Sequence, residues 1–177
     1  MGVTGADVAD SIPDDAWIGG PHPGWLGDTA ALHGRYYAEA WGFPQQFECK
    51  VAREMADFAL RYDPARDLAL TFRGCGQALA TLTLDGSDSA LAPGQAHLRW
   101  FIVDAALRGR GCGQALMDRM LGFARATGYS SVYLTTFRGL DAAATLYARA
   151  GFVVTDESEG ATWGRTVVEQ RLELRLA

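Results

Sequence analysis

Leu98-Arg-Trp-Phe-Ile-Val103 runs into Asp104-Ala-Ala-Leu107, then into Arg108-Gly-Arg-Gly111-Cys-Gly113, and from Gln114 an apolar helical pattern takes over. A β-rich run thus feeds a loop with three glycines, and a helix leaves that loop directly. Glycine permits positive φ and close backbone approach, so the N–H groups of such a loop can converge on an anion. The helix adds its unpaired first-turn donors and the positive end of its dipole. Arg108 and Arg110 add full charges suited to phosphate oxygens. The local reading is a phosphate cradle at a strand–loop–helix junction.

The spacing narrows the kind of phosphate. Gly109-x-Gly111-x-Gly113 is neither Gly-x-Gly-x-x-Gly nor Gly-x-x-x-x-Gly-Lys-Ser/Thr, and no Lys follows it. A dinucleotide fold would place an acidic residue about 20 positions on, at the end of a second strand. Tyr129-Ser-Ser-Val-Tyr-Leu134-Thr-Thr stands there instead, without a carboxylate.

Working outward, 177 residues with 49% hydrophobic composition suit one domain with one core. Met1–Asp15, small and acidic, reads as a flexible lead, with the domain proper spanning 16–177. No apolar run approaches the ~20 residues of a membrane span, and the acidic beginning is not a signal peptide. A net charge of −5 argues against broad nucleic-acid binding. Lys50 is the only Lys. Cys49, Cys75 and Cys112 are odd in number and unevenly spaced, which supports neither a disulfide frame nor a metal knuckle. No metal is expected, and a reducing cytoplasm is the natural setting.

Periodicity places a short strand near Ala16–Gly20 and helices over Asp28–Trp41 and Gln45–Tyr62. A hairpin follows, with strands at Asp67–Arg73 and Gln77–Leu84 joined by Gly74-Cys-Gly76. The central strand starts near Gln95. After the glycine loop come a helix with Leu116, Met117, Met120, Leu121 and Ala124 inward, a strand at Ser131–Thr136, and a helix at Asp141–Ala150 capped by Gly151. Phe152–Thr155 and Arg165–Leu176 complete the sheet, the latter alternating Val168, Gln170, Leu172, Leu174 and Leu176 against charged residues.

The order of strand, Arg108-x-x-Gly111-x-Gly113, helix, strand, helix with Leu146-Tyr147, then Ala150-Gly-Phe152 resembles the GNAT superfamily of acyl-CoA-dependent N-acyltransferases. The resemblance covers most of the chain and is strongest from His97 to Phe152. It implies an α/β fold: a single GNAT-like domain with a mixed, splayed sheet and helices on both faces. A narrower similarity extends through His33-Gly-Arg-Tyr-Tyr37-Ala-Glu39-Ala-Trp41-Gly42, Phe47-Glu48, Asp63-Pro64, Leu98-Arg-Trp100, Gly139–Ala143 and Trp163-Gly-Arg. These stretches resemble the acetyltransferase domain fused behind MarR-type DNA-binding domains in some bacterial proteins. No winged-helix pattern is read here, so DNA regulation is not part of the expectation.

The resemblance implies acetyl-CoA as cosubstrate and a small-molecule or peptide amine as acceptor. It assigns the pantetheine arm to backbone groups of Phe101, Ile102 and Val103, in a gap between splayed strands. The pyrophosphate falls to the loop Arg108, Gly109, Arg110, Gly111, Cys112, Gly113 and Gln114. Backbone N–H groups near the gap would stabilise the developing oxyanion. Tyr147 matches the family's usual acid, which protonates the departing thiolate in a direct attack within a ternary complex. The family's cofactor-contacting Asn is replaced at Leu140. On the acceptor side, Glu39 is the leading base, His33 and Tyr37 are substrate contacts, and Glu48, Trp41 and His97 are weaker candidates.

Each residue also has a plain structural reading: Tyr147 as core packing, His33 as a satisfied helix His, Glu39 and Glu48 as solvated helix charges, Cys112 as a small loop filler. Two rival functions stay open, a non-catalytic acyl-CoA sensor and an interaction module that dimerises through the alternating C-terminal strand. Homodimerisation is compatible with the enzyme reading as well.

Overall fold

The computed structural model describes residues 17–74 and 76–176. The acidic lead therefore lies outside the described residues. In chain order the elements are β1 (Trp17–Gly19), α1 (Trp25–Trp41), α2 (Gln45–Arg61), β2 (Leu68–Gly74), β3 (Gln77–Asp85), β4 (Gln95–Val103), a 3₁₀ turn (Ala105–Leu107), α3 (Cys112–Thr127), β5 (Ser131–Phe137), α4 (Asp141–Ala150), β6 (Val153–Gly160) and β7 (Val167–Arg175). The strands form one seven-stranded sheet in the order β1-β2-β3-β4-β5-β7-β6. Only β4 and β5 run parallel; every other pairing is antiparallel.

Each helix is set by an apolar stripe. Phe47, Val51, Met55 and Phe58 recur at helical spacing along α2 and are all buried. They pack with Trp25, Phe43, Ala69, Trp100 and Phe137 on one face of the sheet. On the other face α3 sends Leu116, Met117, Met120 and Ala124 against Leu82, Leu84, Leu98, Val132 and Leu134. Helices thus cover both faces of a mixed sheet.

Several boundaries differ from the sequence pattern for identifiable reasons. Helix α1 begins at Trp25, ahead of Asp28, because Trp25 is buried at 2% exposure against Phe58 and Trp100 and fixes an extra turn. Helix α3 begins at Cys112, since Gly111 takes the left-handed cap conformation there. β6 continues past Thr155 to Gly160 although Asp156, Glu157 and Glu159 are polar, because it is the edge strand and its side chains are solvated on both faces. β7 starts at Val167, as Arg165 is turned away to the Trp41 carbonyl. One expectation is corrected. The alternating C-terminal strand is not an exposed edge: β7 lies between β5 and β6, and β6 is the edge.

Candidate active site

The site begins with a break in the sheet. β4 and β5 pair only over Gln95–His97 and Ser131–Tyr133, and beyond that point they part. The parting coincides with a bulge in β4: Thr81 faces Ile102 while Thr83 faces Arg99, so β4 carries an extra residue. Trp100 sits in that bulge with φ 46°. Such a conformation costs about 1–2 kcal/mol for a non-glycine residue. The Trp100 ring is clamped between Trp25 and Phe58, with the Arg99 guanidinium 4.3 Å above it. Its carbonyl accepts the Thr81 hydroxyl at 2.7 Å. Packing therefore holds the strain that swings the end of β4 away from β5.

Past Val103 the chain turns tightly. Asp104 donates its backbone N–H to the Leu79 carbonyl at 2.7 Å, and its carboxylate accepts from the Ala106 N–H at 2.8 Å. Gly109 and Gly111 both take φ 74°, and an added Cβ at either would meet no atom within 4 Å. Both positions open onto free space beside the cavity that they line. Gly111 offers no side chain to cap α3, which leaves the first-turn N–H groups of that helix facing the same space. Arg108 reaches back to the Val103 carbonyl at 3.4 Å, and its guanidinium lies 5.1 Å from the Tyr36 ring centroid. Cys112 is buried beneath the loop, where burial pushes its thiol up to about 11. It is a core filler at neutral pH.

One cavity of about 780 Å³ runs from this loop along the parted strands to the faces of α1 and α2. Tyr147 lines it from α4 at 6% exposure, its ring 6.2 Å from that of Phe101 and 5.9 Å from that of Phe152. Burial pushes its phenol well above the ordinary tyrosine value, so it keeps its proton throughout the physiological range. Tyr37 shifts the same way, through burial first and then the neighbouring Tyr147 and Tyr36. His33 is buried, and its Nδ1 lies 2.9 Å from the Thr29 carbonyl. A carbonyl partner requires Nδ1 to carry the hydrogen, which leaves Nε2 with the lone pair. Burial holds His33 down to about 4 against the opposing Thr29 bond, so the ring is neutral at pH 7.

The structure brings together Phe101, Ile102, Val103, Arg108, Gly109, Gly111, Cys112, Gly113, Gln114, Tyr147, His33 and Tyr37 around this single cavity, with Trp41, His97 and Leu140. It does not bring Glu39, Glu48 or Arg110 to it; all three are exposed. Glu39 sits on the solvated side of α1 and has no direct reach into the cleft. Sequence reasoning missed the far end of the cavity, where Lys50, Glu54, Arg99 and Glu169 line the wall. The i,i+4 spacing of Lys50 and Glu54 was visible, but their meeting with Arg99 depends on how α2 crosses β4. Among the described residues, no group of three His, Cys, Asp or Glu is placed to hold a metal ion, and no helix is long and apolar enough to cross a membrane.

The family model described as the acetyltransferase (GNAT) family matches residues 29–152, from within α1 to just past α4, which supply most of the lining of this cavity. The chain belongs to the GNAT family. Solved structures agree in fold. This GNAT chain is 14% identical to an acetyltransferase of the same family from Streptococcus pneumoniae, over 90% of its own length and 99% of the other, with a TM-score of 0.65. It is 19% identical to the ribosomal-protein-S18-alanine N-acetyltransferase of Escherichia coli, over 91% and 94%, with a TM-score of 0.62. It is 20% identical to yncA from Salmonella typhimurium, solved with its cofactor acetyl-CoA, over 86% and 90%, with a TM-score of 0.60. At such identities the likeness establishes the fold alone. No curated protein sequence matches significantly.

Proposed function

We propose that this GNAT protein moves an acetyl group from acetyl-CoA to a primary amine by direct attack within a ternary complex. The observation that carries the reading is the parting of β4 and β5 directly above the glycine loop, with Tyr147 at the seam. Acetyl-CoA fits the residues present. Gly109 and Gly111 line the cavity without side chains at the N-terminus of α3, with Arg108 beside them. Phe101, Ile102 and Val103 line the gap, and their backbone groups turned away from β3 are available to an amide-bearing arm. When bound, acetyl-CoA supplies an acyl thioester.

The remaining roles belong to the chain. Backbone N–H groups along the gap would stabilise the negative charge that develops on the acyl oxygen. Tyr147 holds a proton that it can give to a departing thiolate, and burial keeps that proton in place until it is needed. His33, neutral and with Nε2 unprotonated, is a hydrogen-bond acceptor for the entering amine. Part of the proposal is the narrower kinship with the acetyltransferase half of MarR-fused proteins, which the stretches around His33–Gly42 and Leu98–Trp100 support.

Calorimetric titration with acetyl-CoA tests the reading. The wild type is expected to bind saturably, and the Arg108→Ala/Gly111→Asp double variant to lose binding. Absence of binding by the wild type at millimolar acetyl-CoA would overturn it. A non-catalytic sensor would bind acetyl-CoA but show the same behaviour with Tyr147→Phe.

A further inference from the structure

The end of the cavity away from the glycine loop carries a charge pattern that the acyl-transfer step does not use. Lys50, Glu54 and Arg99 line it, and an adjoining outer groove shares Lys50 and Glu54 and adds Arg53. Glu54 pairs with Lys50 and accepts from Arg99 at 2.6 Å. Asp85, fully buried, accepts from Arg99 at 3.2 Å but is held bidentately by Arg61 at 2.5 and 2.7 Å. Glu169, the other carboxylate at this end, accepts the Thr162 N–H and hydroxyl at 2.7 and 2.9 Å.

With the Asp85 charge matched by Arg61 and Glu169 turned to Thr162, this end of the cavity carries two cations and two carboxylates, and Lys50 and Arg99 are its charged donors. Lys50 is 35% exposed at its side chain and has ammonium donors left over, as the Arg99 guanidinium has N–H groups beyond the two it uses. The wall beside them is aromatic: Tyr37, Trp41, Phe47, Phe137 and Trp163. Arg99 precedes Phe101 by two residues, on the other side of the Trp100 bulge. The donors of Lys50 and Arg99 and the start of the acyl gap are therefore a short molecule apart.

We infer that the acceptor is a small amine carrying its own carboxylate on an apolar or aromatic body, a hydrophobic α-amino acid in chemical terms, with the carboxylate taken by Lys50 and Arg99. The inference rests on the acetyl-transfer reading above. The neutral amine nitrogen forms the N–C bond as the C–S bond breaks, one proton leaves the nitrogen for solvent, one passes from the Tyr147 hydroxyl to sulfur, and Tyr147 regains a proton from solvent. Polycationic amines bring no carboxylate to meet the donors of Lys50 and Arg99.

Thiol release from acetyl-CoA is compared with L-phenylalanine, phenethylamine and spermidine as acceptors. Calorimetry then measures binding of N-acetyl-L-phenylalanine, which keeps the carboxylate and has no reactive amine, to the wild type and to Lys50→Gln. L-phenylalanine is expected to exceed phenethylamine by about tenfold or more in kcat/KM, the worth of a charge-assisted contact. Lys50→Gln is expected to weaken N-acetyl-L-phenylalanine binding several-fold and to lower its salt dependence. Phenethylamine or spermidine turning over as well as L-phenylalanine would overturn the inference, as would equal binding by Lys50→Gln. Acetyl-CoA binding without release from any of the three acceptors would overturn it too, leaving transfer to another amine standing. Failure to bind acetyl-CoA at all would instead remove the acetyl-transfer reading.

Discussion

Tyr147 and His33 show how burial sets protonation state on the two sides of one cavity. Desolvation disfavours the charged form of both, so Tyr147 stays a proton donor and His33 stays a neutral acceptor. Replacing Tyr147 with Phe is expected to lower kcat about 100-fold or more, the usual worth of a positioned acid, while acetyl-CoA affinity measured by calorimetry holds. The His33 shift also carries a stability consequence. Its pKa is 6.5 unperturbed and about 4 when folded. Between those values the unfolded chain binds a proton that the folded protein refuses, so this contribution is intact above the unfolded value and falls as pH drops toward 4. Urea midpoints at pH 7 and pH 4.5 are expected to show about 2–3 kcal/mol of loss from this residue, absent in His33→Gln. His97, held down to about 3 by burial and then by Arg99, extends the same trend to lower pH. At this scale the sequence was unevenly legible. The position of Tyr147 before Ala150-Gly-Phe152 followed from motif order. Glu39 and Lys50 are indistinguishable as helix charges until the rotation of α1 and α2 on the sheet is known.

The elements that make the site are a bulge and a loop, and they differ in how openly the sequence announces them. The loop is spelled out by Arg108-x-x-Gly111-x-Gly113, because positive φ at Gly109 and Gly111 has a residue type that marks it. Gly111→Ala is expected to cost about 1–2 kcal/mol from the left-handed backbone alone. It also places a methyl on the wall of the cavity, so acetyl-CoA affinity should fall more than urea stability does. The bulge has no such mark. Trp100, a bulky residue at φ 46°, looks like one more apolar position of a strand, and only its burial against Trp25 and Phe58 keeps it there. Trp100→Ala is expected to destabilise by about 3–5 kcal/mol through the cavity it leaves. Because the bulge also aims the end of β4, acetyl-CoA binding should weaken in the protein that remains folded, as calorimetry at low temperature would show. The extra turn of α1 and the polar half of β6 were hidden for a related reason: each is held by tertiary neighbours or by edge position, which local composition does not report.

At the scale of the molecule, the cavity lies between two parts of one sheet, and a ligand filling it touches both. A ligand that binds only the folded state at 100 times its Kd adds about 2.7 kcal/mol. For a domain of this size that is about 5–10 °C in melting temperature. Acetyl-CoA is expected to raise the wild-type melting temperature by that amount and to leave the Arg108→Ala/Gly111→Asp variant where it was. The order of strands and helices was readable from end to end, since amphipathic spacing and turn residues agree along most of the chain. The neighbours of β7 were not readable, as pairing is decided by strands far apart in sequence.

The three-residue contact between β4 and β5 leaves the middle of the sheet as thinly bonded as its β1 edge. Ordinarily the central amides of a β-sheet are the last to trade hydrogen for deuterium. Here the gap-facing amides between Phe101 and Val103 lack a strand partner on the β5 side and should trade early, out of step with the buried residues around them. Slowing of those amides on ligand addition would time the arrival of the bridging molecule, and would show a sheet knit across its centre by something other than its own backbone.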